Sequence, residues 1–504
     1  MRARVVFGFA ELPISHTGST ILPGPFRFPQ HEGGSPDTEP AGRHQPNGNG
    51  RSMIDLSPRK SVAVRTALLF ALIALAVCGA RAQDWVRTGT NLGVSKIRIA
   101  AADFKAAAAD PQAGGLKSAF DQTLYNDLRY AGIFDVVSKS MIPTSTPGTP
   151  QEINMAEWSG APSSAAYVAF GALTVSGGHL AVQGFLYNTA QGQQKPQVLG
   201  KQYGGEATVD SSRQIAHRFA DEIIQQLGGL AGIAETKIYF VSNRTGNKEI
   251  WAMDYDGMNE RQLTHLGTVS LSPHVSPDNS RVAFSSLGKN GWSIRMYSLD
   301  LGRLMAFPAA GGTTLSPAWS SDGTKLAFSS SREGDPDIYV SDASGNGARR
   351  LTAFRGPDVS PAWNPKTNAQ LAWVSGRTKL PQIYIMDSDG ANVTRMTDGG
   401  YAISPSWSPS GQFLTFAWDR KYGPGAPGGY DIYVMDIASK RWTQLTHDSG
   451  ANDFPSWSPD SRHIVFQREQ NGHSEIWMML ADGTDQQQLT HGGGSNTMPN
   501  WSWK

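Results

Sequence analysis

Along residues 237–504 the apolar positions come in short runs that alternate with polar ones, and each run stops at Gly, Asp or Asn. Runs rich in β-branched and aromatic residues with a period of two predict strands rather than helices. One set of four comprises Ser316 to Ser320, Lys325 to Ser329, Asp337 to Asp342 and Arg349 to Thr352. Tight turns are predicted at Asp322-Gly323 and at Ser344-Gly345. Glycine tolerates positive φ there, and aspartate favours turning. The third run recurs as Glu249 to Asp254 before Asp256-Gly257, and as Gln382 to Asp387 before Asp389-Gly390.

The first run of each set carries a phrase that reads Ser-Pro-x-Trp-Ser-Pro in its fullest copy, Ser404 to Pro409. The first prolines are Pro273, Pro317, Pro361, Pro405, Pro455 and Pro499, spaced by 44, 44, 44, 50 and 44 residues. A period of roughly 40–50 residues with four strands per unit predicts a β-propeller, here of six blades. The repeat starts out of phase. Lys237 to Phe240 matches a second run, and Met498 to Ser502 is a first run with no successors. The expected closure is therefore one plus three, with the last strand completing the first blade and removing an open edge. The same order of strands assigns faces. The Asp-Gly turns share one face, which receives the domain preceding Lys237. The loops leading into the Ser-Pro phrases share the other face, which stays free for a partner.

Residues 83–235 predict a small α/β domain. Lys96 to Ala101 alternates like a strand. Leu116, Phe120, Leu124 and Leu128 recur at helical spacing, as do Ile215, Phe219, Ile223 and Leu227 before Gly228-Gly229. Ala165 to Val175 and Leu180 to Tyr187 flank Gly177-Gly178 as a hairpin. The fold class is thus a mixed α/β N-terminal domain (83–235) followed by an all-β six-bladed propeller (236–504).

Composition changes the picture at the start of the chain. Residues 1–52 are rich in Pro, Gly, His and Arg, a disordered composition. Arg59, Lys60 and Arg65 then precede an apolar run from Ala67 to Val77 and the small-x-small pattern Ala80-Arg81-Ala82. That order predicts a signal peptide over 53–82, cleaved between Ala82 and Gln83, with translation beginning at Met53 and 1–52 a start-site extension. The one cysteine, Cys78, falls inside that peptide, and Val77 before it does not fit a lipobox. The mature chain of about 420 residues would then hold no thiol. Its formal net charge of +1 over 504 residues gives no reason to expect nucleic acid.

Candidate chemistry adds little. A tryptophan once per blade (Trp319, Trp363, Trp407, Trp457, Trp501) reads as packing between blades. The Asp-Gly pairs lack the dense carboxylates of a calcium loop and read as turns. His265, His447 and His491 each follow Leu-Thr in a fourth strand. Those strands lie about three strand spacings, roughly 14 Å, outside the inner ring, too far apart for one ion. No metal or other cofactor is expected. There is no Gly-x-Ser-x-Gly elbow and no His-Glu-x-x-His, and the first strands carry Ser, Pro, Ala and Trp rather than an acid–base pair.

A signal peptide, an α/β domain of this size and six blades with Ser-Pro-x-Trp-Ser-Pro and Ile-Tyr-x-Met-Asp motifs resemble the TolB family over Gln83 to Lys504. In the N-terminal part, Ile97 to Phe104 and Leu124 to Phe134 carry the likeness. These are periplasmic components of the Tol–Pal envelope system of Gram-negative bacteria. The resemblance implies a non-enzymatic protein in the periplasm, peripheral to the outer membrane and monomeric. Its propeller would bind Pal, the peptidoglycan-associated lipoprotein, on the face away from the N-terminal domain. Its mature N-terminus would bind TolA, and the cycle would serve outer-membrane invagination at division and envelope integrity. Carried over by position, the Pal face is Pro273, Thr313, Ser316, Pro317, Val359 and Pro361. The TolA segment begins Gln83, Asp84, Trp85, Val86 and Arg87. The alternatives are a propeller lyase or hydrolase, and an envelope scaffold with another partner.

Overall fold

The computed structural model describes residues 84–503 except 91, 94, 107–111, 191–195, 309–310, 422–428 and 448, together with 5–7 and 10–12. Residues 1–85 and 86–504 form two compact units. In the first, Val5–Phe7 pairs antiparallel with Ala10–Leu12. The expected signal peptide and the Ala82/Gln83 cleavage point lie outside the described residues.

The second unit begins with an α/β layer. Its sheet runs in the order Phe134–Val136, Ile97–Ala101, Tyr167–Ser176, His179–Asn188, Gln197–Glu206, with Lys105–Ala106 beside Tyr167–Ser176. The first pairings are parallel and the later ones antiparallel. Helix α1 (Ala113–Tyr130) turns Leu116, Phe120, Leu124 and Leu128 onto one face of this sheet. A short helix α2 (Met155–Ser159) brings Trp158 to the other face, against Phe170, Phe185 and Tyr187. Helix α3 (Val209–Gly228) lies beside α1 and buries Ile215, Phe219 and Ile223. Thr208 caps α3 by accepting from the Ser211 N–H at 3.1 Å. Gly229, at φ 70°, ends it in the left-handed region.

Six four-stranded antiparallel sheets follow as blades. Blade 1 is Lys237–Ser242, Glu249–Asp254 and Arg261–Gln262, completed by the last strand, Asn496–Trp501, which pairs with Lys237–Ser242. Blades 2 to 6 begin at the strands Ser270–Val275, Thr314–Trp319, Asp358–Trp363, Tyr401–Trp407 and Ala451–Trp457.

Two repeated devices hold the blades. The first lies within five of the six blades. The Thr264 hydroxyl accepts from the Ile250 N–H at 2.9 Å and donates to Glu249 at 2.6 Å, tying the fourth strand to the third. Thr352, Thr397, Thr446 and Thr490 make the same pair of bonds to Ile338 and Asp337, Ile383 and Gln382, Ile432 and Asp431, Ile476 and Glu475. The second device lies between blades. Trp319, Trp363, Trp407, Trp457 and Trp501 are all buried. Trp363 and Trp407 donate Nε1–H to the Ala318 and Ala362 carbonyls of the preceding blade, at 3.2 and 3.1 Å. The opening residue of the preceding second strand covers the indole: Arg281 over Trp319, Lys325 over Trp363, Phe413 stacked on Trp457, His463 tilted onto Trp501. The Asp-Gly pairs are turns, with Gly257, Gly323, Gly390 and Gly483 all at positive φ. At Gly257 a Cβ would also sit 2.5 Å from the Leu489 carbonyl oxygen of the neighbouring blade, so close approach excludes a side chain there.

The α/β layer docks on the tight-turn face. Tyr255 and Asp256, in the third-to-fourth turn of blade 1, bond Asp127 of α1 and Arg213 of α3. His463, after the first-to-second turn of blade 6, bonds the Tyr130 carbonyl oxygen at the end of α1 at 2.6 Å. Beside it Arg462 is buried and paired with Asp460 at 3.0 Å. No helix among the described residues is long and apolar enough to cross a membrane.

Candidate functional site

The Ser-Pro phrase makes a ring. In every blade the ladder between first and second strands shifts register at this phrase, leaving a β-bulge. The residue before each proline lies in the left-handed region: Ser272, Ser316, Ser360, Ser404, Phe454 and Met498, all with φ between 51° and 54°. Proline lacks an N–H, so it fits where the ladder is already broken. A left-handed non-glycine residue costs on the order of 1 kcal/mol or more, and the surrounding structure must over-determine it. Part of that support is visible. The Ser316 N–H donates to Ser285 Oγ at 3.0 Å and the Met498 N–H to Gln467 Oε1 at 3.0 Å, each acceptor belonging to the preceding blade.

These six bulges line a central cavity of about 180 Å³, whose floor includes the tryptophans. Its wall is Ser, Pro, Ala and aromatic, and His274 is the single ionisable side chain among the described residues lining it. Burial pulls His274 down to about 4, so it is neutral near pH 7. Its Nδ1 accepts from the Trp319 N–H at 3.4 Å. Asp453 sits in the ring one position before Phe454, where other blades have Leu271, Leu315, Val359 and Ile403. Burial pushes its carboxyl up to about 6, against hydrogen bonds from the Ser404 hydroxyl and from the Phe454 N–H at 2.6 Å. Asp453 and His274 break the repeat in sequence, and that deviation is the signal by which both were findable.

Of the residues expected on the partner face, Pro273, Ser316, Pro317 and Pro361 line the cavity together. Thr313 lies outside it, at the entry to blade 3, with its N–H on Ser331 Oγ at 3.1 Å. Val359 is 4% exposed, pairs with Val374 in blade 4, and is not among the residues lining the cavity. Ala82 and Gln83 are outside the described residues, and Asp84 is exposed. Val86 is fully buried, and Arg87 pairs with Asp482 at 3.3 Å. Gly89 approaches Phe413 so closely that a Cβ would meet the ring at 2.3 Å. The tight-turn face therefore holds residues 86–89, which belong to the segment expected to bind TolA. His265, His447 and His491 are all exposed.

Two sequence families match the chain. The TolB beta propeller domain covers 224–424 and 401–504, and the TolB amino-terminal domain covers 90–195. The Tol-Pal system protein TolB of Desulfosudis oleivorans is 34% identical over 252 residues, 49% of this chain and 56% of that protein. That of Geobacter metallireducens is 33% identical over 221 residues, 43% and 50% respectively. The chain thus spans about half the length of the curated relatives it matches. In fold it is similar to the crystal structure of TolB from Acinetobacter baumannii, with a TM-score of 0.69 at 23% identity, covering 82% of this chain and 98% of that one.

Proposed function

The chain belongs to the TolB family, and on that premise we propose that it is a non-enzymatic periplasmic binding component of a Tol–Pal system. In this reading it links Pal and TolA for outer-membrane invagination during division and for envelope integrity. The observation that carries the proposal is the cavity mouth. It is ringed by six bulges and is lined by neutral Ser, Pro and aromatic groups. Such a surface offers rigid apolar contact with a few hydroxyl and backbone groups to set orientation, which suits protein recognition. A lone neutral histidine does not supply the paired acid and base of a lyase or hydrolase.

Pro273, Thr313, Ser316, Pro317 and Pro361 are the proposed Pal contacts. The TolA site is proposed at residues 83–87. Burial of Val86 means that TolA reads the segment before it, or that these residues detach on binding. The test is titration of the full chain with purified Pal. Ser316→Arg is the informative variant. Its backbone position already accepts Phe454 and Met498 in other blades, so a long side chain folds there and projects at the mouth. Wild-type binding, weakened at least about tenfold by Ser316→Arg, about 1.4 kcal/mol, supports the assignment. A wild-type chain that ignores Pal, or a variant that binds unchanged, overturns it.

A further inference from the structure

We propose that His217, Asp254 and Asp256 form a site for one divalent cation of the zinc class, clasping helix α3 to the blade 1 hairpin. A ring nitrogen of His217 and one carboxylate oxygen from each aspartate lie within 4.8 Å of one another. Ligands about 2.0–2.2 Å from a shared ion fall within a similar spread after small side-chain adjustment. Acidic residues near a histidine do not by themselves make a site, but this histidine carries a second observation. His217 is 3% exposed. Its Nδ1 lies 2.7 Å from Asp127 Oδ2, while its buried Nε2 has no hydrogen-bond partner among the described residues. A buried ring nitrogen left unpaired is costly unless something completes it.

The surroundings prepare that nitrogen to coordinate. With Asp127 accepting the Nδ1–H, the neutral ring has its Nε2 lone pair free to coordinate, the carboxylate–imidazole arrangement that orients metal-bound histidines. Asp127 is itself fixed, because its Oδ1 accepts from the Tyr255 hydroxyl at 2.5 Å. The two aspartates are oriented by bonds that leave lone pairs over. Asp254 accepts from Lys237 Nζ at 2.5 Å and from Asn259 Nδ2 at 2.7 Å. Asp256 accepts from Arg213 Nη2 at 2.5 Å and from the Met258 N–H at 3.1 Å. Each carboxylate oxygen has capacity beyond one such bond. One imidazole nitrogen with two carboxylate oxygens selects a zinc-like ion over calcium or magnesium, which prefer oxygen alone. His217 belongs to the α/β layer and the aspartates to the propeller, so the ion would bind the folded arrangement and stabilise it.

The test uses the full chain, stripped of metal by chelator. It is titrated with zinc, and bound zinc is counted after gel filtration. The expected result is one equivalent per chain and a melting temperature raised by about 2–6 °C. His217→Gln and Asp256→Asn each lose that equivalent, while Asp127→Asn weakens binding about 10–100-fold. His491→Gln, at an exposed histidine, leaves it unchanged. Near-UV circular dichroism selects folded variants. Cobalt loaded into the unmutated chain gives an independent reading through the visible spectrum of a nitrogen–oxygen site. The proposal is overturned if the unmutated chain keeps no equivalent, or if folded His217→Gln and Asp256→Asn both keep one.

Discussion

Single positions in the inner ring show how far a repeat can be bent by one residue. Five blades place an aliphatic residue or threonine before the bulge, and blade 6 places Asp453 there, half-buried and pushed up to about 6. Burial outweighs its two hydrogen bonds, so the folded state favours the protonated acid. The sign follows. Stability from this group is present below the unfolded carboxylate pKa and is lost as pH rises toward 6. A shift of about two units corresponds to at most about 3 kcal/mol at pH 7.5. Asp453→Asn removes the charge and keeps an oxygen for the Phe454 N–H. Urea unfolding is expected to show the variant more stable by about 1–3 kcal/mol at pH 7.5, with the gain gone by pH 4. An equal difference at both pH values would mean that Asp453 does not titrate in the folded chain.

Elements in this molecule are joined by polar clamps that the alternation of apolar residues does not reveal. The runs, the helical stripes and the Gly177-Gly178 turn were legible because burial imposes periods of two and 3.6. The inter-blade role of the tryptophans was legible because it repeats. The Leu-Thr motif was visible as well, but only as the end of a fourth strand. Its work depends on Thr352 reaching the Ile338 N–H and Asp337 across a strand gap, a contact of residues 14 and 15 apart. Thr352→Val keeps the shape and removes both bonds, leaving a buried N–H unpaired. Blade 3 is expected to lose about 1–3 kcal/mol, read as a lower urea midpoint. The partner-face assignments were less legible for a related reason. Val359 is near the mouth in sequence, yet side-chain direction along a strand alternates, and a one-residue bulge resets that alternation. The cluster of Asp127, His217, Asp254 and Asp256 joins parts of the chain that no local pattern connects.

At the scale of the whole molecule, the ring and the α/β layer depend on one blade. Blade 1 borrows its innermost strand from residues 496–501, which bury Trp501 against Ile238, Phe240 and Met253. The end of the same strand reaches both neighbours: Asn500 accepts from the Val275 N–H at 2.9 Å, and the Trp501 N–H donates to Ser456 at 3.0 Å. Trp501 Nε1 also reaches Thr236 at 2.8 Å, where the chain enters from the α/β layer. Blade 1 in turn carries Tyr255 and Asp256, which grip α1 and α3. Removing residues 496–504 therefore opens an edge on Lys237–Ser242, empties a core slot and loosens the seam at once. Truncating one buried tryptophan costs about 3–5 kcal/mol, and the deletion takes that and the ladder besides. It is expected to lower the melting temperature well beyond Trp501→Ala and to abolish a single cooperative transition. A deletion protein that melts with the full chain would show that the ring stands without its closing strand.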